Sequence, residues 1–146
     1  MNAHELLVSD HVALRREAAE LEAAIAGNPG QVTELYARFH EHARKHFQRE
    51  DTIYYPAIDG DERINDRELM HDLRNDHAAV IFALESLAIK LRKNMPVNEW
   101  KTKWKMMIDV LLPHLDHEER GLFPRAEKLL SADQMKSLTD QIRKTY

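Results

Sequence analysis

His46-Phe-Gln-Arg-Glu50-Asp-Thr-Ile-Tyr-Tyr55-Pro56 aligns without a gap on His114-Leu-Asp-His-Glu118-Glu-Arg-Gly-Leu-Phe123-Pro124. In each copy a histidine is followed four residues later by a glutamate, then by a second acid, then by an aromatic-proline pair. On a helix this spacing puts imidazole and carboxylate on one face, one turn apart, where both can bind one ion or a bridged pair. The segments upstream repeat as well. His11, preceded by Asp10, stands 35 residues before His46, and His77, preceded by Asp76, stands 37 before His114. The chain therefore reads as a duplicated helical hairpin, each copy carrying His and then His-x-x-x-Glu: a dinuclear metal site written twice.

Composition narrows the chemistry. The 146 residues are 43% hydrophobic and 32% charged, enough to bury a core without disulfides. A net charge of −4 with no basic stripe argues against nucleic acid as a partner. The absence of cysteine removes disulfides, zinc-thiolate sites, iron-sulfur clusters and thiol nucleophiles together, so a metal here must be held by nitrogen and oxygen. The N-terminus has no basic start followed by an apolar run, and no stretch is apolar for the roughly 18 residues a membrane helix needs. The expectation is a cytoplasmic protein with no membrane partner, formed as one domain over 1–146.

Glycine and proline punctuate the chain at Gly27-Asn-Pro-Gly30, from Pro56 to Asp61, at Asn94-Met-Pro96 and from Pro124 to Ser131. Between these breaks apolar residues recur at helical spacing. The first stripe is Leu7, His11, Leu14, Ala18, Leu21 and Ile25, and the second Leu35, Phe39, His42, His46, Glu50 and Ile53. The third is Met70, Leu73, His77, Ile81, Leu84, Ala88 and Leu91, and the fourth Trp104, Met107, Leu111, His114, Glu118 and Leu122. Ser131 and Gln134 form a capping-box pattern that opens a fifth, short helix. The pattern predicts an all-α fold: an antiparallel up-down-up-down four-helix bundle over about 4–128, with a C-terminal helix over about 131–145.

His11 and His46 are equidistant from the first break, and His77 and His114 are equidistant from the third. His46 and His77 are within one residue of equidistant from the second. In an antiparallel bundle equal distance from a turn means equal height, so the four histidines fall in one layer. Buried ionisable groups without partners each cost several kcal/mol, so six converging on one layer need a common cause.

On these residues the chain resembles the hemerythrin-like, or HHE cation-binding, family over about residues 4 to 128. The resemblance implies a four-helix bundle holding two iron ions as a non-heme centre. It implies His11, His46, His77 and His114 as terminal ligands, Glu50 and Glu118 as bridges, and an oxo or hydroxo bridge between the metals. The donor set itself suits iron, manganese or zinc, and two shared carboxylates favour a pair of ions over one. One position departs from the oxygen carriers of that family, which have a further histidine where this chain has Leu73. The departure predicts an open position on the ion held by His77 and His114, lined by Leu73, Ile81 and Leu111.

Several residues keep two readings. His42, one turn before His46, is either a seventh ligand or a histidine hydrogen-bonded near the site. Tyr54, one turn beyond Glu50, either packs or offers its hydroxyl to a bound oxygen species. Asp51 and Glu119 point away from the bridging acids, toward supporting or surface roles. His4 falls at the bundle end, whereas His40, His71 and His117 read as surface. Pro113, inside the fourth helix, should leave the carbonyl of Asp109 without its helical donor and kink the helix.

Three functions follow from the resemblance. The first is binding, sensing or storage of a diatomic ligand, dioxygen or nitric oxide. The second is a di-iron oxidoreductase acting on peroxide or nitric oxide, and the third an iron-responsive interaction module.

Overall fold

The computed structural model describes residues 1–146 and contains helices joined by short turns, with no strand. Helix α1 (Ala3–Gly27) opens on Asn2, whose side chain accepts the Glu5 N–H at 3.0 Å. A 3-10 turn, Pro29–Gln31, leads into α2 (Val32–Arg49). A π-helical turn, Glu50–Tyr54, then passes without a break into α3 (Tyr55–Asp59). Asp66 caps α4 (Arg67–Arg92) by accepting the Leu69 N–H, and α5 (Val97–His117) returns antiparallel to it. A second π turn, Glu118–Leu122, runs into α6 (Phe123–Leu129). Finally α7 (Ala132–Arg143) starts at the Ser131–Gln134 capping box and packs on α1. The bundle is α1, α2, α4 and α5, with α1 against α2, α4 against α5, and the two hairpins joined through α2–α4 and α1–α5 contacts.

The buried positions follow a seven-residue repeat in all four bundle helices. In α1 they are His4, His11, Ala18 and Ile25 with Leu7, Leu14 and Leu21, and in α2 they are Val32, Phe39 and His46 with Tyr36 and Ala43. In α4 they are Met70, His77 and Leu84 with Leu73, Val80 and Leu87, and in α5 Trp100, Met107 and His114 with Trp104 and Leu111. Such a repeat is the signature of near-parallel helices packing knobs into holes. It corrects two of the expected stripes. Val80 is buried where Ile81 is 39% exposed, and Ala43 is buried where His42 faces outward. Both misplacements come from exchanging steps of three and four: His77 is followed by Val80 and not Ile81, and Phe39 by Ala43 and not His42.

The two prolines expected to stop helices do not. Each π turn donates the N–H of the aromatic residue to the carbonyl five residues back, Tyr55 to Glu50 and Phe123 to Glu118. The next residue, Pro56 or Pro124, then stands in the first turn of a fresh helical segment, where a missing N–H leaves no bond unmade. The chain turns away only at Gly60 and at Leu130. Pro113 likewise lies within continuous α5, on its exposed face.

Apolar side chains form two separate clusters. One, holding Leu14, Phe39, Leu84, Trp100 and Trp104, fills the bundle toward the α1–α2 and α4–α5 turns. The other, holding Leu7, Tyr54, Tyr55, Leu73, Leu122 and Phe123, closes the opposite end, and α7 contributes Leu138 and Ile142 to it. The histidine and glutamate layer separates the two.

Candidate metal centre

Each bundle helix delivers one histidine to the layer because the seven-residue repeat aims it inward, and each π turn begins with the glutamate. His11, His46, His114, Glu50 and Glu118 are fully buried, and His77 is 2% exposed. The structure brings these six together as two groups that share both glutamates: His11, His46, Glu50 and Glu118, and Glu50, His77, His114 and Glu118. Nε2 of His46 and of His77 both lie 3.1 Å from Glu50 Oε1, while Nε2 of His11 and of His114 lie 3.3 and 3.4 Å from Glu118 Oε1.

The outer ring nitrogens are held from behind by four carboxylates. Nδ1–H donates from His46 to Asp10 at 2.9 Å, from His114 to Asp76 at 3.2 Å, from His77 to Asp51 at 2.7 Å and from His11 to Glu119 at 3.1 Å. A carboxylate accepts only, so each bond places the ring proton on Nδ1 and turns the Nε2 lone pair toward the centre. The two hairpins do this by the same rule. The acid before the first histidine of a hairpin holds its second histidine, and the acid after each shared glutamate reaches across to the other hairpin. Arg49 secures Asp10, and Arg15 secures Glu119.

Inward lone pairs create a specific problem. Nε2 of His11 and of His46, both carboxylate oxygens of Glu50 and Oε1 of Glu118 are buried without a hydrogen-bond partner. Nε2 of His77 and of His114 face one another at 3.0 Å although both rings donate from Nδ1. Such groups are stable together only around a shared proton or cation. With protons alone, burial disfavours charging His46, yet Glu50, Asp10 and Glu118 outweigh it and hold the imidazole up at about 10. The same balance against Asp51, Glu50 and Glu118 raises His77 to about 9, and Glu118 and Glu50 raise His114. Burial also opposes ionising Glu118, but its contacts with Glu50, His11 and His114 keep its carboxyl well below the usual range. The layer is thus a negative cage that draws in positive charge, and its donors fit a pair of metal ions.

The chain matches the family model described as Hemerythrin HHE cation binding domain over residues 2–126. It belongs to that family. Among curated proteins it is similar to uncharacterized proteins of Mycobacterium tuberculosis and Mycobacterium bovis, 27% identical over 127 residues, which is 85% of this chain and 71% of theirs.

Within this hemerythrin-like domain the remaining candidates sort by geometry. His42 stays outside both groups; it is half-exposed and pairs with buried Glu17 at 2.5 Å. His4, in the inward register, accepts from the Tyr54 hydroxyl on Nε2 at 2.7 Å and donates from Nδ1 to Glu127 at 2.5 Å, so Tyr54 is turned to His4. His40 pairs with Glu85, and Asn75 approaches His71 at the surface. Leu73 is buried in the apolar cluster that holds Leu7 and Tyr54, whereas Ile81 is an exposed side chain.

Sequence reasoning missed Tyr55. Its hydroxyl donates to Glu118 Oε2 at 2.9 Å and lies 3.0 Å from His77 Nε2, with its ring stacked on that histidine. Burial and the charges of Glu50 and Glu118 raise its phenol well above the ordinary value. Ordinary α-helical counting puts Tyr54 one turn beyond Glu50, but the π turn inserts one residue and brings Tyr55 in as well. The repeated aromatic-proline pair was the available signal.

Proposed function

We propose that the domain holds two iron ions, one between His11 and His46 and the other between His77 and His114, with Glu50 and Glu118 shared by both. The pair would bind dioxygen or a related diatomic such as nitric oxide. The observation that carries this reading is the set of five buried, unpartnered donor atoms on His11, His46, Glu50 and Glu118, arranged as two groups with common carboxylates. Imidazole and carboxylate donors without sulfur suit iron, and carboxylate sharing favours a pair. When bound, such a pair supplies Lewis acidity and two electrons for a small ligand.

The protein's own contribution is positional. Four outer carboxylates fix ring orientation and keep each Nε2 unprotonated for the metal. The apolar clusters above and below exclude bulk water. Tyr55 is the one hydroxyl in hydrogen-bond contact with the six-residue layer.

Elemental analysis of anaerobically purified protein should give close to two irons per chain; one tightly held zinc would refute the reading. Mixing the reduced protein with air in a stopped-flow cell then divides the functions. A long-lived spectrum distinct from the diferric one is expected for a binder, and immediate oxidation would favour the di-iron oxidoreductase of peroxide or nitric oxide.

A further inference from the structure

The two halves of the centre carry the same histidines and glutamate but part at the position before the shared proline, which is Tyr55 in one and Phe123 in the other. Both rings stack on a histidine of the layer, Tyr55 on His77 at 4.8 Å and 27°, Phe123 on His11 at 5.8 Å and 24°. Only one of them carries an oxygen. That oxygen is 3.0 Å from His77 Nε2 and 2.9 Å from Glu118 Oε2, and His77 Nε2 is in turn 3.0 Å from His114 Nε2 and 3.1 Å from Glu50 Oε1.

These separations have a common meaning. Around an octahedral ion with bonds of about 2.0–2.1 Å, neighbouring donor atoms lie about 2.9 Å apart. The tyrosine oxygen stands at that edge length from two donors of the second group. The hydroxyl has one proton to donate and two acceptor atoms beside it. Its single proton can serve Glu118 Oε2 or His77 Nε2 but not both, and His77 Nε2 also faces His114 Nε2 while both rings donate from Nδ1. A cation among them satisfies all of them together.

Resting on the di-iron reading above, we propose that Tyr55 is a direct ligand of the ion held by His77 and His114. On binding, the Oη–H bond breaks, the proton leaves to solvent, and the phenolate electron pair forms the bond to the metal. The second ion then has five protein donors: His77, His114, Glu50, Glu118 and Tyr55. The first has four, with the Phe123 ring where a fifth would sit. The open position for an exogenous ligand therefore belongs to the ion at His11 and His46. This reverses the sequence expectation, which put it on the other ion because of Leu73.

A tyrosinate bound to ferric iron absorbs in the visible by charge transfer, and exciting that band enhances tyrosine ring modes in the Raman spectrum. The test uses the full chain loaded with ferric iron alone, comparing the parent with Tyr55→Phe and with the exchange Tyr55→Phe/Phe123→Tyr, iron counted by elemental analysis in each. The expected result is two irons in all three, the tyrosinate band and ring modes in the parent, their loss in Tyr55→Phe, and their return in the exchange. Two irons with no such signature in the parent, or an unchanged signature in Tyr55→Phe, overturns the assignment while leaving the di-iron reading intact. A parent that holds no iron overturns both.

Discussion

The two hairpins differ far less in their metal-facing residues than in what surrounds them. Both present two histidines, a glutamate that starts a π turn, and an outer carboxylate for every imidazole. Around this shared frame the first half adds His4, Tyr54, Arg49 and the C-terminal Tyr146, whose hydroxyl donates to Asp10 at 2.7 Å. The second half has Met70 in the place of His4 and Leu122 in the place of Tyr54, and its Asp76 side chain is 31% exposed against 12% for Asp10. The repeated part is the set of buried imidazoles and carboxylates, and the unrepeated part is what surrounds it. The halves are equivalent for holding charge and unequal for reaching it.

The strongest way to break the comparison is to remove what the halves share. A Glu50→Ala/Glu118→Ala variant takes away the carboxylates common to both groups and should lose both metals; undiminished iron by elemental analysis would show that the groups are not coupled through them. The next largest effect is on stability. His46 and His77, raised to about 10 and about 9 in the metal-free protein, gain a proton relative to the unfolded chain above about 6.5. Their contribution is fully present below that value and is lost as pH rises through 9 to 10. Metal needs the same imidazoles neutral and so binds more tightly as pH rises. The melting temperature of the loaded protein should therefore exceed that of the metal-free form by a margin that widens from pH 6.5 toward pH 10. A constant margin would mean that protons and metal do not compete for these rings.

Smaller effects sharpen the inequality. Asp10→Asn and Asp76→Asn should each weaken metal binding about 10- to 100-fold, the usual consequence of loosening a ligand's hydrogen-bonded support. The loss should be larger for Asp10→Asn, because Asp10 also anchors Arg49 and Tyr146. Equal losses in competition titrations with a chelator would make the two supports equivalent. Smallest for the centre is His42→Ala. Metal content should stay at two per chain while the melting temperature falls, since Glu17 keeps a buried carboxylate whose partner is gone, a cost of about 1–3 kcal/mol. Loss of one iron in that variant would return His42 to the ligand set.

The bundle and the six-residue layer were legible because both rest on periodicity. A helix fixes the direction of a side chain from its position alone, so equal spacing from each turn was enough to bring His11, His46, His77 and His114 to one height. His42 and Ile81 were misread for the same reason. Over one or two turns, steps of three and four are indistinguishable, and only the repeat of seven running through all four helices chooses Ala43 and Val80.

Chain order thus determined the bundle, the duplicated ligand pattern and the absence of sulfur chemistry, since each depends on residue identity and on regular helical geometry. Tertiary structure decided the rest. The carboxylate behind each imidazole comes from a different helix or from the opposite hairpin, so no local spacing identifies it as the partner. The π turns shift the register by one residue after Glu50 and Glu118, which regular α-helical spacing does not reveal. That shift puts Tyr55 beside the second group and Phe123 beside the first, and so makes two copies of one His-x-x-x-Glu pattern chemically unlike.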